Sequence, residues 1–361
     1  MNLNKMHFLI VRLSSIGDVM HATAVAHTLR LHAPHCHITW LASPPASELL
    51  RYDPDIDKLI IWDRNAFERA AANFSLHDLK SSLVKLHKLF APYQFDIVLD
   101  IHGLFLTGCI SFLAKAKRRI GIRGMHEFNS LFMTELAPMI ESPHKIQQYA
   151  AVLQPLGVRA PDPHLILKLP HTLHEFAIHF LQKRGIDLTL PILMVSPCTT
   201  WDSKNWPAAN FIQALDPLPG NVQIIFCGTK NDVKSITNIR TKMTHSSFSI
   251  AGETTLPELA ALFYFSSLLL TGDTGPLHIA TAVGLATLSL WGPTLPEIYG
   301  PLIPGHVSIV SSYKCTACLK SHCHHGSNAC MRSIDASVVE SKIRKLLRSK
   351  QCQKQNALKF D

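Results

Sequence analysis

The chain has 361 residues, a length that predicts two domains rather than one. Hydrophobic residues make up 47% and charged residues 17%, which excludes a disordered or fibrous protein because such a chain can bury large cores. The net charge of +9 is uneven: residues 1–165 hold 17 basic and 14 acidic residues, residues 166–313 hold 8 and 9, and residues 314–361 hold 10 and 3. A uniform nucleic-acid-binding surface is therefore not expected, whereas the tail favours an anionic partner or membrane face.

The N-terminal elements in chain order are a strand over residues 8–13, a polar loop over 14–18 and a helix over 19–32. Arg12 interrupts the first apolar run, so no export signal is predicted. Five cysteines are scattered along the chain, and without an export signal they are expected to be reduced thiols: Cys36, Cys109, Cys198, Cys227 and Cys352. The predicted location is the cytoplasm.

Short, continuously apolar runs separated by helical stretches follow. Strands are predicted over residues 38–42, 59–62 and 95–99, with a helix over 66–90. Glycine and prolines cluster over residues 156–170, and a second series then has strands over 192–195, 222–227, 268–270 and 287–291 and a helix over 256–265. The alternation predicts an α/β protein of two Rossmann-like, doubly wound domains that face a central cleft.

The predicted domains are residues 1–165, 166–335 and a basic tail of 336–361. The uncharged stretch 274–296 is long enough for a membrane span, but its prolines and glycines favour a buried helix followed by a buried strand. In the tail, Val339, Ile343 and Leu346 share one face of an amphipathic helix over 338–347. This helix is predicted to pack back toward the first domain, with contact to anionic lipid as the alternative.

The segment L-L-T-G-D-T-G-P-L-H at 269–278 predicts a buried strand, a small polar loop and a helix. The N–H groups of Thr274 and Gly275 would lie at the helix N-terminus, where free amides and the helix dipole favour a phosphate. Asp273 would end the strand and accept hydrogen bonds from sugar hydroxyls. The alternative is that Asp273 and Thr274 only cap the helix.

Two further loops follow predicted strands. At 196–207, Thr199 and Thr200 would donate hydrogen bonds to a diphosphate and Lys204 would supply positive charge, unless Lys204 is only a solvated surface lysine. At 12–18, Asp18 would take a proton from an acceptor hydroxyl, unless it only stabilises the helix dipole. The second loop lacks G-x-G-x-x-G, which argues against a nicotinamide-linked enzyme.

Together these segments resemble the lipopolysaccharide heptosyltransferases of glycosyltransferase family 9. R-L-S-S-I-G-D at 12–18, the S-P-C…S-K-N-W run at 196–206, D-T-G-P-L-H at 273–278 and W-G-P-T at 291–294 are similar to the motifs of that family, in the same order. D-I-H-G-L at 100–104 is similar to its D-x-Q-G-L, with His102 in place of glutamine. The similarity extends over about residues 8–332.

The resemblance implies a GT-B fold and inverting, metal-independent transfer of heptose from ADP-heptose to the lipopolysaccharide inner core of a Gram-negative cell. Asp18 would be the general base, and Asp273 would contact the heptose. The donor diphosphate is expected at Thr199, Thr200, Lys204, Thr274 and Gly275, with His278 supporting the phosphate loop or packing in its helix.

The acceptor side is where the sequence departs from the family pattern. Besides His102, Leu106 stands where many members carry lysine. A basic cluster, Lys115, Lys117, Arg118, Arg119 and Arg123, would meet an anionic acceptor or form a solvated face. The acceptor-binding residues predicted on this basis are Ser15, Gly17, His102, Arg119 and Arg123. The acceptor is expected to be lipid-linked, with peripheral contact between the protein and the inner leaflet of the inner membrane.

Four cysteines are clustered as C-x2-C-x4-C-x6-C: Cys315, Cys318, Cys323 and Cys330. This spacing suits a closed structural zinc site, packed free thiols or labile disulfides, and none of these would be catalytic. No metal or cofactor is expected to be required for catalysis. The rival functions are transfer of another nucleotide sugar to a surface glycan, sugar-nucleotide binding without turnover, and a zinc-containing nucleic-acid-binding protein.

Overall fold

The computed structural model describes residues 2–124, 127–158, 161–315 and 317–349. The chain divides into two compact units, Met1–Lys168 and Leu169–Asp361. The predicted boundary lies three residues earlier, between 165 and 166. Lys350–Asp361, which includes Cys352 and the end of the predicted basic tail, lies outside the described residues.

The first unit is built on a six-stranded parallel sheet in the order β3-β2-β1-β4-β5-β6. Its strands are β1 His7–Val11, β2 His37–Ala42, β3 Lys58–Ile61, β4 Ile97–Asp100, β5 Arg118–Ile122 and β6 Glu135–Ala137. Its α-helices are α1 Ile16–His32, α2 Ser47–Leu50, α3 Arg64–Ala72, α4 Leu76–Phe90, α5 Phe105–Leu113 and α6 Lys145–Ala150. Short 3-10 helices cover Leu3–Lys5, Asn129–Phe132 and Ala151–Leu156.

Strand β1 is apolar from Phe8 to Val11 because both of its faces are covered there. Phe8 and Ile10 point into one core, which they share with residues of α1. Leu9 and Val11 point into the core on the opposite face, which includes Phe90 of α4. All four strand residues are fully buried. This two-sided burial is the reason that the strand lacks the polar alternation of a half-exposed sheet.

The second unit repeats the architecture in the order β12-β11-β10-β7-β8-β9, again with every pair parallel. Its strands are β7 Ile192–Ser196, β8 Gln223–Phe226, β9 Ser247–Ser249, β10 Leu268–Gly272, β11 Thr287–Trp291 and β12 His306–Val310. Its α-helices are α7 His171–Gln182, α8 Ala208–Leu215, α9 Val233–Arg240, α10 Leu256–Tyr264, α11 Gly275–Ala282, α12 Pro296–Tyr299, α13 Ala329–Arg332 and α14 Ala336–Arg348. Short 3-10 helices cover Asp202–Lys204 and Lys230–Asp232.

Each sheet has a topological switch point, where the chain reverses the direction in which strands are added. In the first unit it lies between β1 and β4, whose last residues Val11 and Asp100 are paired. In the second unit it lies between β7 and β10, where Ser196 pairs with Thr271. Ligands of open α/β sheets bind beyond the carboxyl ends of the strands at such points. The loops after these four strands are therefore the places to examine for function.

The predicted α/β doubly wound fold is confirmed, and eight strands were recognised as apolar runs. The four missed strands are β5, β6, β9 and β12, which are short or carry polar residues. The helix predicted over 66–90 is two helices, α3 and α4, because Phe74 adopts a left-handed conformation and Ser75 caps α4. The uncharged stretch 274–296 forms α11 and β11, as predicted.

The C-terminal helix differs from its predicted placement. Val339 and Ile343 of α14 are fully buried in a core of the second unit, together with Trp206 and Met331. The prediction that this helix packs toward the first domain is therefore corrected, since its apolar face fills a core of the second unit. In the described ranges, no helix combines the length and apolar character that crossing a membrane requires.

Candidate functional site

Asp18 lies in the first turn of α1, directly after the loop that follows β1. Its carboxylate accepts three contacts: from the Arg12 guanidinium at 2.9 Å, from the Tyr149 hydroxyl at 2.6 Å and from the Ser15 hydroxyl at 3.0 Å. The Asp18 side chain is 29% exposed, so a ligand can still reach it. Gly17 lies beside it in the same helical turn. The predicted residues Ser15, Gly17 and Asp18 are thus together at the switch point.

The surroundings of Asp18 keep its carboxyl group ionised. Burial alone would raise the pKa of Asp18, but the charge of Arg12 and the hydrogen bonds from Tyr149 and Ser15 outweigh it. The result is a pKa of about 2. Asp18 is therefore an available proton acceptor at neutral pH, although an intrinsically weak one.

This depressed pKa predicts a specific acid dependence of stability. A carboxyl group whose pKa is lower in the folded state stabilises the fold above its unfolded pKa, and this contribution is lost as the pH falls through the folded pKa. For Asp18 the interval runs from about pH 4 down to about pH 2 and corresponds to roughly 2 kcal/mol. In urea unfolding, we expect the wild-type protein to have a higher free energy of unfolding than Asp18→Asn above this interval. This difference should disappear as the pH falls through the interval.

The matched control is Asp63→Asn, because Asp63 caps α3 and asparagine caps helices equally well. This variant should follow the wild-type pH dependence. A constant stability difference between wild type and Asp18→Asn from pH 5 to pH 2 would contradict the assigned contacts.

The loop after β4 is shaped by Asp100, which is fully buried. Its Oδ1 accepts hydrogen bonds from the backbone N–H groups of His102 and Gly103 at 3.0 and 3.1 Å, and its Oδ2 accepts one from Asn129 at 2.8 Å. Gly103 has a positive φ of 76°, which glycine adopts without strain. This turn fixes the backbone from which the His102 side chain reaches the loop after β1.

His102 connects the two loops of the switch point. Its Nδ1 accepts a hydrogen bond from the Leu13 backbone N–H at 3.1 Å, and its Nε2 lies 3.1 Å from the Arg64 guanidinium. Burial, reinforced by the charges of Arg12 and Arg64, lowers the pKa of His102 to about 3. His102 is therefore neutral across the physiological range. The structure brings this predicted residue into the same site as Asp18, with Arg12 as their common neighbour.

Four residues of this site were not assigned from the sequence: Arg12, Arg64, Lys145 and Tyr149. Arg12 was visible in the 12–18 motif but was given no role. Arg64 follows β3, and Lys145 and Tyr149 belong to α6, which packs against α1. Burial lowers the pKa of Lys145, and the charge of Asp18 acts against that effect. No local spacing links Arg64, Lys145 and Tyr149 to Asp18, so only the fold reveals these three.

The predicted acceptor arginines have different surroundings. Arg119 lies in β5, and its guanidinium donates to the backbone oxygens of Phe132 at 2.7 Å and Ala116 at 2.8 Å. Arg118, in the same strand, forms an ion pair with Glu135 at 2.6 Å. Arg123 follows β5 and is exposed. Arg119 thus has an internal structural role, while the acceptor role of both Arg119 and Arg123 stays a prediction.

In the second unit, the loops after β7 and β10 meet through an ion pair. The Lys204 ammonium lies 2.7 Å from Oδ2 of Asp273, and the Thr294 hydroxyl donates to the same oxygen at 2.7 Å. The side chains of Lys204 and Asp273 are only 14% and 8% exposed. Lys204 also lies 4.2 Å from the centre of the Trp201 ring, a cation–π contact. The alternative of a solvated surface lysine does not describe this residue.

Thr294 is a site residue that the sequence analysis quoted within the 291–294 motif but did not assign. Thr199 lies close to the end of β10, because a Cβ added at Gly272 would be 3.0 Å from the Thr199 methyl group. The Thr199 hydroxyl donates to the backbone oxygen of Trp201 at 2.8 Å, so this side chain orders its own loop. Thr200 is exposed at the tip of the same loop.

Helix α11 begins at Gly275, and Thr274 is its N-cap residue. The Thr274 side chain makes no capping hydrogen bond, in contrast to the capping alternative drawn from the sequence. Both residues are half-buried and directly follow Asp273. His278 is 3% exposed in the middle of the helix, a position that fits a packed histidine. Thr199, Lys204, Asp273, Thr274 and Gly275 therefore lie around one switch point.

The clustered cysteines line a cavity of about 240 Å³ together with His324 and His325: Cys315, Cys318, Cys323 and Cys330. All four are free thiols. In the part of the chain that the structure describes, no three or more His, Cys, Asp or Glu side chains are grouped so as to hold a metal ion. The four cysteines thus share one cavity but, as placed, do not form the ligand set of a zinc site.

The two doubly wound units, each with polar loops at its switch point, are the architecture of the GT-B fold. More particularly, the chain belongs to glycosyltransferase family 9 (heptosyltransferase), whose sequence profile matches residues 83–328. It is 28% identical over 287 residues to the lipopolysaccharide core heptosyltransferase OpsX of Haemophilus influenzae, an alignment that covers 78% of each chain.

Two solved structures share the fold. The family 9 glycosyl transferase of Veillonella parvula superimposes with a TM-score of 0.83 at 24% identity, covering 96% of this chain and 98% of the other. The Escherichia coli heptosyltransferase WaaC with ADP superimposes with a TM-score of 0.75 at 17% identity, covering 94% and 100%. The sequence-based expectation of family 9 membership is confirmed.

Proposed function

We propose that this protein is an inverting glycosyltransferase that moves heptose from ADP-heptose to the lipopolysaccharide inner core. The observation that carries the proposal is the state of Asp18, a partly exposed carboxylate held ionised at the switch point of the first unit. Two similar proteins support heptose as the sugar and ADP as the nucleotide. OpsX is named a lipopolysaccharide core heptosyltransferase, and the structure of WaaC contains ADP.

In this proposal the second unit binds the donor. Lys204 and the N–H groups at the start of α11 stabilise the negative charge that develops on the departing diphosphate. Asp273, already held by Lys204 and Thr294, accepts hydrogen bonds from heptose hydroxyls. Thr199 and Thr200 complete the loop on the diphosphate side.

The first unit binds the acceptor and removes its proton. The acceptor oxygen forms the new bond to the anomeric carbon, the bond from that carbon to the diphosphate oxygen breaks, and ADP leaves with the electron pair. The hydroxyl proton passes to Asp18. A weak base suffices because the hydroxyl becomes strongly acidic as its oxygen bonds to the electron-poor anomeric carbon.

The proposed reaction does not need a metal ion, because Lys204 and the N-terminus of α11 supply positive charge to the departing diphosphate. No step is derived from the four clustered cysteines, which as placed among the described residues do not form the ligand set of a zinc site. Contact with the inner leaflet stays a prediction, which fits a lipid-linked acceptor and the basic C-terminal segment.

The decisive test is to incubate the protein with ADP-heptose and lipid-linked core sugar and to follow ADP release, with the product identified by mass spectrometry. We expect ADP release that depends on the acceptor and an added heptose mass on the lipid. Turnover only with another nucleotide sugar would favour the first rival function. Tight ADP-heptose binding with no turnover on any core acceptor would favour a non-catalytic binding protein.

A further inference from the structure

Helix α5, which follows the loop after β4, has its polar and apolar faces reversed. All nine of its residues are uncharged. Thr107 and Ser111 are fully buried, and the Ser111 hydroxyl donates to the buried Asp100 carboxylate at 3.4 Å. Phe105 and Phe112 are seven positions apart, share one face of the helix and are exposed. A surface helix that packs only within its own domain has the opposite arrangement, with its apolar side chains inward.

The 3-10 helix Asn129–Phe132 extends the exposed apolar surface of α5. The Phe132 ring packs edge-on against Phe105, with the ring centres 5.2 Å apart. Leu131 of this helix and Phe128, which directly precedes it, are 75% and 77% exposed. The apolar surface therefore continues from α5 onto the neighbouring segment.

Hydrogen bonds fix this segment to the loop after β4. The Glu127 carboxylate accepts from the Phe105 backbone N–H at 3.3 Å, at the start of α5. The Asn129 side chain donates to Asp100 at 2.8 Å, and Asp100 also shapes the backbone that carries His102. The exposed apolar side chains thus lie beside the loop that reaches the Asp18 site.

Met139 adds to the same surface from the end of β6. It is exposed two residues after the strand, and a Cβ added at Gly124, which follows β5, would lie 3.2 Å from the Met139 sulfur. Because β4, β5 and β6 are parallel, the segments that follow them lie at one edge of the sheet. The apolar patch, which extends from this edge along α5, consists of Phe105, Phe112, Phe128, Leu131 and Met139.

Basic residues border the apolar patch. Residues 105–142 contain five lysines and arginines and three glutamates. Arg118 is paired with Glu135, and the Arg119 guanidinium lies 5.5 Å from the centre of the Phe112 ring. Three further cations are exposed: Lys115, Lys117 and Arg123. An apolar surface bordered by cations is complementary to a membrane whose headgroups are anionic.

We propose that the apolar patch binds the surface of an anionic phospholipid bilayer. Phe128 and Leu131 enter the boundary between headgroups and acyl chains, and the bordering cations contact lipid phosphates. This contact places the loop after β4 against the membrane, where a lipid-linked acceptor is held. The inference rests on the proposed function for that acceptor, and it assigns the membrane contact to the first unit rather than to the basic C-terminal segment.

The first test measures binding to phosphatidylglycerol vesicles without any substrate. The variant Phe128→Asn/Leu131→Gln removes two exposed apolar side chains, and asparagine tolerates the positive φ of 57° at position 128. We expect this double variant to bind at least about tenfold more weakly than wild type in cosedimentation at physiological ionic strength. The matched control is Leu31→Gln, which should bind as wild type. Leu31 is also exposed but lies in the last turn of α1, which runs away from the carboxyl edge of the sheet.

The second test reads insertion and does not depend on the double variant. Leu131→Trp is mixed with vesicles whose lipids carry bromine on the acyl chains, and wild type gives the background from the native tryptophans. We expect additional quenching of tryptophan fluorescence that persists at high salt, because apolar insertion is not screened by ions. Leu31→Trp should show no quenching beyond the wild-type background.

Three outcomes of these assays would overturn the inference. One is that wild type does not bind the vesicles. Another is that the double variant binds them as wild type does, or that Leu131→Trp shows no additional quenching, which would assign membrane contact to another surface. The third is a wild-type dimer in sedimentation that the double variant converts to a monomer, because the apolar patch would then be an interface between two copies of this chain.

Transfer kinetics connect the apolar patch with the proposed function. With lipid-linked core acceptor embedded in vesicles, we expect the double variant to raise the acceptor KM about tenfold. With water-soluble core oligosaccharide, its KM should stay within about threefold of wild type. An equal penalty with both acceptors would contradict the inference, since the apolar patch would then contact the core sugar itself. Absence of transfer by the wild-type protein would refute the proposed function, while vesicle binding and quenching would still decide the inference.

Discussion

Replacing Asp18 with alanine is expected to abolish heptose transfer and leave ADP binding intact. Asp18 belongs to the first unit and is proposed to take the acceptor proton, whereas the nucleotide is assigned to loops of the second unit. Loss of a general base typically costs about 10²–10⁴-fold in rate. The measurements are acceptor-dependent ADP release and titration calorimetry with ADP.

Two variants separate the chemical role of Asp18 from its structural role. Asp18→Asn keeps a similar shape and cannot accept the proton as a carboxylate does, so it should be as inactive as the alanine variant. Ser15→Ala removes one hydrogen bond but keeps the base, and it should retain most activity. Full activity of either Asp18 variant would remove the proposed base from the mechanism.

The Lys204→Ala variant has the second largest expected effect. Lys204 is nearly buried between Asp273 and the Trp201 ring, at the point where loops from β7 and β10 meet. Its ammonium is assigned to the leaving diphosphate, and loss of a group that stabilises developing charge in a transition state costs about 10²–10³-fold. We expect a decrease of that size in kcat/KM for ADP-heptose, measured by ADP release.

The matched controls test whether charge or packing is responsible. Lys234→Ala removes an exposed lysine of α9 and should leave the kinetics unchanged. Lys204→Arg keeps the charge but changes its geometry, and it should recover part of the activity. Thermal unfolding shows whether Lys204→Ala remains folded, since Asp273 keeps its hydrogen bond from Thr294. Wild-type kinetics in Lys204→Ala would exclude this residue from the donor site.

The sequence was most informative where function depends on short segments of chain. The loops after β1, β7 and β10 contain Asp18, Lys204 and Asp273 within local motifs. Apolar runs bounded by polar residues identified these strands because a strand covered on both faces must be apolar at consecutive positions. Polar residues just after such strands therefore lie at the ligand-binding edge of the sheet, which can be deduced without coordinates.

The sequence was least informative where contacts join distant segments. Tyr149 donates to Asp18 across 131 positions of sequence, and Arg64 reaches His102 across 38. The pairing of Lys204 with Asp273 spans 69 positions. The basic cluster predicted to meet an anionic acceptor or to form a solvated face contains Arg119, and only the structure shows that its guanidinium donates to backbone oxygens beside β5.

The sequence by itself determined the family, the two doubly wound sheets and the residues that follow their central strands. Each of these depends on residues that are close in sequence. They are apolar residues that recur at the spacing of a strand or helix, or polar residues within one loop. Only the tertiary structure decided the ionised state of Asp18, the neutral state of His102 and the ion pair of Lys204. These properties arise from burial and from charges on other elements, and packing brings such elements together without leaving a period in the sequence.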